Sequence, residues 1–204
     1  KILKKSAIIL AGGLSKRFGQ DKGLNKLAGK PLITHVLDKI SNVVNETVIV
    51  VSSEAQKRIF ENLLKQKARV IVDINKTQSP LVGALTGFEN TQDEYSLLLS
   101  CDTPFVSTQI ALLLLELCIN RSAAIPRWPN GFIEPLQAAY RTESAENAAR
   151  KALENGKMDL QSMIALLKGV RYVSTMVLQQ IDLKLLTFFN INMLSDLKEA
   201  ESIL

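Results

Sequence analysis

The chain has 204 residues, of which 47% are hydrophobic and 22% are charged, and its formal net charge is +5 at pH 7. A chain of this length buries roughly 70% of the surface that it exposes when unfolded, so we expect a single domain over residues 1–204. The composition excludes a disordered chain, and the positive charge suits an anionic partner. Only 5% of the residues are aromatic, which argues against a nucleic-acid binder that stacks bases.

No segment of the sequence reads as a membrane span. The longest apolar run, which starts at Ile110, has about half the length that a bilayer requires. Residues 1–10 carry basic residues before a short apolar stretch, but glycines and a charged loop follow where a signal peptide has its cleavage site. We therefore predict a cytoplasmic protein. Cys101 and Cys118 stand in no metal-binding spacing, so we expect neither structural zinc nor a disulfide.

Short apolar runs rich in β-forming residues alternate with amphipathic helical segments. The predicted strands, in chain order, are 7–10, 47–51, 70–72, 96–99, 123–125, 136–139 and 172–174. The predicted helices include 31–40, 54–65, 82–89 and 108–118. This alternation predicts an α/β fold with a mostly parallel sheet that is covered on both faces. Ligands bind such sheets at the carboxyl ends of the strands, so the loops directly after strands are the candidate sites.

The loop after the first predicted strand has the character of a phosphate site. It reads LAGGLSKRFGQDKGL, and Gly12 and Gly13 allow backbone N–H groups to approach an anion where the strand ends. Lys16, Arg17 and Lys22 add positive charge. The segment matches neither the GxxxxGK[ST] loop nor GxGxxG, which argues against the usual ATPase and dinucleotide sites. An ordinary turn is the alternative interpretation.

A single carboxylate follows the predicted strand 96–99. Asp102, in LLLSCDTPFVS, is placed to hold a hard divalent cation through oxygen, and Mg²⁺ is commonly bound by one or two carboxylates together with substrate phosphates. The alternative is that Asp102 caps the turn or helix that follows.

Two asparagines interrupt an apolar run near the C-terminus. Asn190 and Asn192, in FNINMLSDL, occupy alternate positions, so an extended backbone places both amides on one face. A capping role before the next helix is the alternative for this pair.

The segments LAGGLSKRFGQDKGL, SPLVGAL, CDTPFV, EPLQAAYR and FNINMLSDL resemble, in order and spacing, the molybdenum cofactor guanylyltransferase family. The resemblance spans nearly the whole chain. It implies a three-layer Rossmann-like sandwich around a mixed, mostly parallel sheet, as in the nucleotide-diphospho-sugar transferases. It also implies transfer of GMP from GTP to the terminal phosphate of molybdopterin with Mg²⁺ as cofactor, and it admits molybdenum cofactor biosynthesis or acceptor proteins as partners. No nucleic-acid partner is implied.

The resemblance also implies roles for individual residues. The implied nucleotide-binding residues are Leu10, Ala11, Gly12, Gly13, Lys22, Ser53, Asp73, Pro80, Gly83 and Asp102. The implied catalytic residues are Lys22, Asp102 and Arg17, and Asp102 is also the implied magnesium ligand. Asn190 and Asn192 are assigned to the acceptor.

The implied reaction fits a chain with one histidine. A phosphate monoester is already ionised near neutral pH, so its attack on GTP needs no general base, and we expect a structural role for His35. Related alternatives are cytidylyl transfer to the pterin and guanylyl transfer to phospholactate or a cobamide precursor. A different class of alternative is an inactive adaptor in molybdenum cofactor biosynthesis.

Overall fold

Strands and helices alternate along the chain, as the apolar periodicity predicts. The computed structural model describes residues 3–12, 14–15, 20–73 and 77–204. The strands are β1 Lys5–Leu10, β2 Leu14–Ser15, β3 Gln20–Asp21, β4 Lys26–Leu27, β5 Lys30–Pro31, β6 Glu46–Val51, β7 Arg69–Val72, β8 Tyr95–Ser100, β9 Ala123–Arg127, β10 Gln137–Arg141 and β11 Val170–Ser174. The helices are α1 Leu32–Ile40, α2 Glu54–Leu64, α3 Pro80–Glu89, α4 Thr108–Cys118, α5 Thr142–Glu154, α6 Leu160–Leu166, α7 Thr175–Leu178 and α8 Leu194–Ile203. Within these described ranges, no helix has the length and apolar character needed to cross a membrane.

Seven strands form one mixed sheet in the order β11-β9-β10-β8-β1-β6-β7. Strand β10 is antiparallel to both of its neighbours, and the other pairs are parallel. From β1 the chain adds β6 and then β7 on one side, and it then places β8 on the other side of β1. The strand order therefore reverses between β1 and β8, which is where open α/β sheets bind ligands.

Helices cover both faces of the sheet, so the molecule has three layers. Alternate residues of β1 point to opposite faces: Ala7 and Ile9 pack with apolar residues of α1, α2 and α4, whereas Ile8 packs with those of α3, α5 and α6. All three side chains are fully buried. This arrangement confirms the mostly parallel, doubly covered sheet that the sequence predicts.

The segment after α7 returns to the carboxyl end of β8. Ile191 is fully buried with Leu27 and Leu32 in a small third core, and its backbone N–H donates to the carbonyl oxygen of Asp102 at 2.9 Å. The C-terminal asparagines are thereby fixed beside the turn that carries Asp102.

Helix α3 begins at Pro80, two residues before the predicted start at residue 82. The hydroxyl of Ser79 accepts from the N–H of Val82, and proline suits the first helical position because its φ angle is already helical. A capping serine followed by proline therefore sets the helix start more sharply than apolar periodicity does.

Candidate functional site

A cavity of about 330 Å³ lies at the carboxyl ends of β1, β6, β7 and β8. Its lining includes most of the nucleotide-binding residues implied by the sequence, namely Leu10, Ala11, Gly12, Lys22, Asp73, Pro80, Gly83 and Asp102. The loops after four strands meet here because the strands are parallel and end at the same edge of the sheet. The fold thus gathers residues that are far apart in sequence.

Backbone hydrogen bonds continue past the last paired residues of the central strands. The N–H of Ala11 donates to the carbonyl of Val50 at 2.8 Å, and the N–H of Cys101 donates to the carbonyl of Leu10 at 3.1 Å. The floor of the cavity is therefore an extension of the sheet and not a set of independent loops.

Gly12 lies where the loop after β1 passes the loop after β6. A Cβ atom on Gly12 would lie 2.5 Å from the hydroxyl oxygen of Ser52, closer than non-bonded atoms approach. Gly12 is exposed towards the cavity. The position thus favours a residue without a side chain and leaves backbone available to a ligand.

Lys22, Asp102 and Asn192 form one polar cluster at the cavity. The ammonium Nζ of Lys22 lies 3.0 Å from Asp102 Oδ2 and 2.6 Å from Asn192 Oδ1, and it donates to both oxygens. The Lys22 side chain is 28% exposed and that of Asp102 is 10% exposed, so the pair is partly shielded from water but reachable from the cavity. A lysine, a carboxylate and an amide from three distant segments meet at one point.

The second carboxylate oxygen of Asp102 is chemically suited to bind a cation. Asp102 Oδ1 is buried and has no hydrogen-bond partner among the residues that the structure describes. A buried charged oxygen without a donor is costly, and a divalent cation would satisfy it. Among the same described residues, no group of three or more histidine, cysteine or acidic side chains could hold a metal ion. Mg²⁺ is commonly bound by one or two carboxylates together with substrate phosphates and water.

The other end of the cavity combines a carboxylate with a helix start. Asp73 follows β7 and is 7% exposed; its Oδ1 accepts from the hydroxyl of Thr86 at 3.3 Å. Ser79 and Pro80 bring the N-terminus of α3 to the same wall of the cavity. Asp73 supplies hydrogen-bond acceptors, and the N-terminus of α3 favours ligand atoms that carry partial negative charge.

Four residues implied by the sequence lie elsewhere or are not described. Gly13 and Arg17 fall outside the described residues. Ser53 does not line the cavity, because its hydroxyl caps α2 by accepting from the N–H of Gln56 at 3.2 Å. Asn190 turns its amide to the carbonyl of Phe188 at 3.1 Å, so Asn192 is the member of the pair that reaches Lys22.

The side chains of Asp102 and Asn192 do not cap the helices that follow them. Ser107 caps α4 by accepting from the N–H of Ile110, while the Asp102 carboxylate contacts Lys22. At α8 the carboxylate of Asp196 accepts from the backbone N–H groups of residues 192 and 193. The amide oxygen of Asn192 is thereby left to serve the polar cluster.

The neighbouring cysteine and the single histidine are not reactive groups of this site. Burial raises the pKa of the Cys101 thiol far above its usual range, and the nearby Asp102 carboxylate raises it further, so the thiol stays neutral. Both cysteines are buried free thiols. His35 Nε2 lies 2.9 Å from the carbonyl oxygen of Leu27, which gives this ring the expected structural role.

Several residues that line the cavity were not predicted from the sequence. Ser52, Gln78, Ser79, Cys101 and Leu136 also line the cavity. Ser52 and Cys101 directly follow strands, so their positions carried the same signal as Asp102. Gln78 and Leu136 carried none, because tertiary packing alone brings them to this edge.

The chain has the fold of the nucleotide-diphospho-sugar transferases. The solved 2-C-methyl-D-erythritol 4-phosphate cytidylyltransferase of Thermus thermophilus has the same fold, with a TM-score of 0.72 over 98% of each chain at 18% identity. Residues 7–171 match the model of the MobA-like NTP transferase domain, and the chain belongs to this family.

Two further proteins are similar over most of the chain. A probable molybdenum cofactor guanylyltransferase of Methanosarcina mazei is 31% identical over 95% of this chain and 88% of its own length. The crystal structure of molybdopterin-guanine dinucleotide biosynthesis protein A from Archaeoglobus fulgidus superposes with a TM-score of 0.83 at 30% identity, and the match covers 97% of both chains.

Proposed function

We propose that this protein is a magnesium-dependent guanylyltransferase that transfers GMP from GTP to the terminal phosphate of molybdopterin and releases pyrophosphate. The observation that carries the proposal is the contact of Lys22 with both Asp102 and Asn192 at the nucleotide-sized cavity. The similarity to the two molybdenum cofactor proteins supports the choice of GTP and molybdopterin.

The reaction exchanges one phosphoanhydride bond for another. An oxygen of the acceptor's terminal phosphate forms a bond to the α-phosphorus of GTP, and the bond from that phosphorus to the bridging oxygen of the β-phosphate breaks. Pyrophosphate leaves with the electron pair of the broken bond. The attacking phosphate is already ionised, so the site has to reduce repulsion between anions and hold them in line.

Lys22 is suited to reduce that repulsion. Its ammonium group has three N–H donors, and the contacts with Asp102 and Asn192 use two of them. Among the described residues no third acceptor contacts this ammonium group, so its remaining donor and its positive charge can serve a phosphate. Partial burial increases the strength of this interaction, because fewer water molecules screen it.

Asp102 is the residue that would hold Mg²⁺, through the buried Oδ1 that lacks a donor among the described residues. Bound there, Mg²⁺ would supply charge neutralisation on the phosphates of the nucleotide. Asn192 holds Lys22 in place by accepting a hydrogen bond from its ammonium group. Its amide lies on the side of the polar cluster that is formed by the segment before α8. We assign this side to the acceptor phosphate.

We assign the guanine base to the end of the cavity formed by Asp73, Gln78 and the start of α3. Guanine presents an N1–H and an N2 amine, and both need acceptors. Carboxylate, side-chain amide and backbone carbonyl oxygens at this end can supply them. A site built on such acceptors rejects bases that lack these donors.

The test is pyrophosphate release from GTP with molybdopterin as acceptor. Lys22→Ala and Asp102→Ala should each lower turnover by roughly 10²-fold or more, because each removes a charge that stabilises the transition state. Circular dichroism should show an intact fold in both. Lys30→Ala is the matched control, since Lys30 pairs with Asp38 on the surface and lies outside the cavity lining.

Three outcomes would contradict parts of this assignment. Activity within about tenfold of the unsubstituted protein in either cavity variant would remove Lys22 or Asp102 from catalysis. Equal turnover of CTP or ATP would refute guanine selection and favour a related nucleotidyltransferase. GTP binding without any turnover would favour the adaptor.

A further inference from the structure

We propose that two buried glutamines outside the cavity lining, Gln56 and Gln137, are positioning residues that hold Lys22 and Asp102 in their reactive arrangement. Gln56 is 6% exposed and Gln137 is 5% exposed. The inference rests on the proposed function of the Lys22 and Asp102 pair, and it assigns to the two glutamines no contact with substrate.

Gln137 fixes the turn that carries Asp102. It is the first residue of β10 and lies opposite Leu99 of β8. Its side-chain Nε2 donates to the hydroxyl of Thr103 at 2.6 Å, and that hydroxyl donates to the carbonyl of Ser100 at 3.0 Å. These two hydrogen bonds span the turn on both sides of Asp102.

Gln56 fixes the segment that carries Lys22. Its Oε1 accepts from the backbone N–H of Ser52 at 2.7 Å, and its Nε2 donates to the carboxylate of Asp21, which directly precedes Lys22. Asp21 is itself only 7% exposed. One side chain of α2 therefore joins the Lys22 segment to the loop after β6.

A second contact with α2 lies on the other side of Lys22. Gly23 packs so closely on Phe60 that a Cβ atom added there would lie 3.1 Å from the ring. Contacts through Asp21 and Gly23 thus flank Lys22 on both sides, and both are made to the same face of α2. The direction in which the lysine projects depends on this helix.

The chemistry of the two glutamines favours positioning over general stabilisation. The other buried residues of α2 include Phe60 and Leu64, and those of β10 include Ala138 and Ala139. An apolar side chain at either glutamine position would avoid the cost of burying an amide. Each amide instead bonds to loops that adjoin the reactive pair, as outer-shell residues do at metal and phosphate sites.

The first test replaces Gln137 with methionine, which has a similar length and no amide. In Gln137→Met the Mg²⁺ concentration for half-maximal turnover should rise roughly 10- to 100-fold, the range seen when an outer-shell partner is lost. Thr103→Val removes the hydroxyl that joins Gln137 to the carbonyl of Ser100, so it should weaken the Mg²⁺ dependence to a similar extent. Normal Mg²⁺ dependence in either variant would overturn the role of Gln137.

The second test exchanges the two partners of the buried contact at Lys22. Gln56→Glu at pH 8 places two carboxylates against each other, and turnover should fall about 10- to 100-fold. Adding Asp21→Asn gives one amide and one carboxylate again, while the Ser52 N–H keeps its acceptor. Turnover should then recover by about tenfold. No recovery in a folded double variant would contradict positioning through this contact.

Gln180→Met is the matched control, because Gln180 is exposed on the C-terminal side of α7. It should leave Mg²⁺ dependence and turnover unchanged.

Crystal structures of Gln137→Met and Gln56→Glu give a readout that does not depend on the substrate. The distance from Lys22 Nζ to Asp102 Oδ2, 3.0 Å here, should exceed about 4 Å in both variants. A distance that stays near 3.0 Å would overturn the inference even if the protein proves to be a guanylyltransferase. A longer distance from Lys22 Nζ to Asp102 Oδ2 in a protein that does not turn over GTP would uphold the inference and refute only the proposed function.

Discussion

Two glycines of α3 should respond to alanine in opposite ways. A Cβ atom on Gly87 would lie 2.3 Å from Cγ2 of Ile8, whereas one on Gly83 would lie 3.5 Å from the nearest atom of Leu10. Ile8 is fully buried in the central strand and has a stiff β-branched side chain, so it cannot move aside without cost. The 3.5 Å contact at Gly83 is ordinary van der Waals packing.

The magnitudes follow from these distances. Alanine stabilises a helix interior by about 1 kcal/mol relative to glycine, and we expect Gly83→Ala to gain up to that amount. Overpacking costs about 1–3 kcal/mol, and the short contact at Gly87 places its cost at the upper end. Gly87→Ala should therefore lose about 2 kcal/mol after the helix gain, and the two variants should differ by about 3 kcal/mol.

Urea unfolding followed by circular dichroism measures this difference. The midpoints should separate while the slopes agree, because both variants expose the same surface on unfolding. Free energies of unfolding within about 0.5 kcal/mol of each other would refute the close packing of α3 on β1. So would a Gly87→Ala protein more stable than the unsubstituted one.

Other consequences can be checked separately. Burial raises the pKa of Glu134 above its ordinary value of 4.5, although the hydrogen bond from Trp128 lowers it in part. The folded state therefore binds this proton more tightly than the unfolded state, and the contribution of Glu134 to stability falls as pH rises past 4.5. Glu134→Gln keeps an acceptor without the charge and should raise the melting temperature at pH 7; a lower one would contradict this reasoning. Gly12→Ala should weaken GTP binding measured by calorimetry. Adding Ser52→Ala removes the clashing hydroxyl and should restore part of that binding. Unchanged GTP binding in Gly12→Ala would show that the site has room for the methyl group. The neutral, buried thiol of Cys101 should resist iodoacetamide until the protein unfolds, and rapid labelling of the folded protein would show that the thiol is accessible.

The sequence predicted the sheet and the central part of the site for the same physical reason. Apolar runs too short for helices predict buried parallel strands. Glycine or charged residues in the loop after a strand then indicate which strand ends bind a ligand. Gly12, Lys22 and Asp102 were found in this way, and they line one cavity. The direction of β10 is not encoded by such a run, because parallel and antiparallel buried strands have similar patterns.

The roles of adjacent polar residues needed the structure. Ser52 and Ser53 are indistinguishable by type, and only the start of α2 shows that Ser53 caps the helix while Ser52 lines the cavity. Asn190 and Asn192 share one motif, yet the amide of Asn192 contacts Lys22, whereas that of Asn190 donates to the carbonyl of Phe188. Contacts of this kind depend on tertiary packing between distant segments, which local sequence does not specify.

Guanine selection and the role of Mg²⁺ can be measured together by a calorimetric titration of GTP into the purified protein with and without Mg²⁺, with CTP and ATP as controls. We expect selective GTP binding that Mg²⁺ strengthens, and we expect Asp102→Asn to remove the effect of Mg²⁺. Equal binding of all three nucleotides would contradict guanine selection, and GTP binding that is indifferent to Mg²⁺ would contradict the role of Asp102.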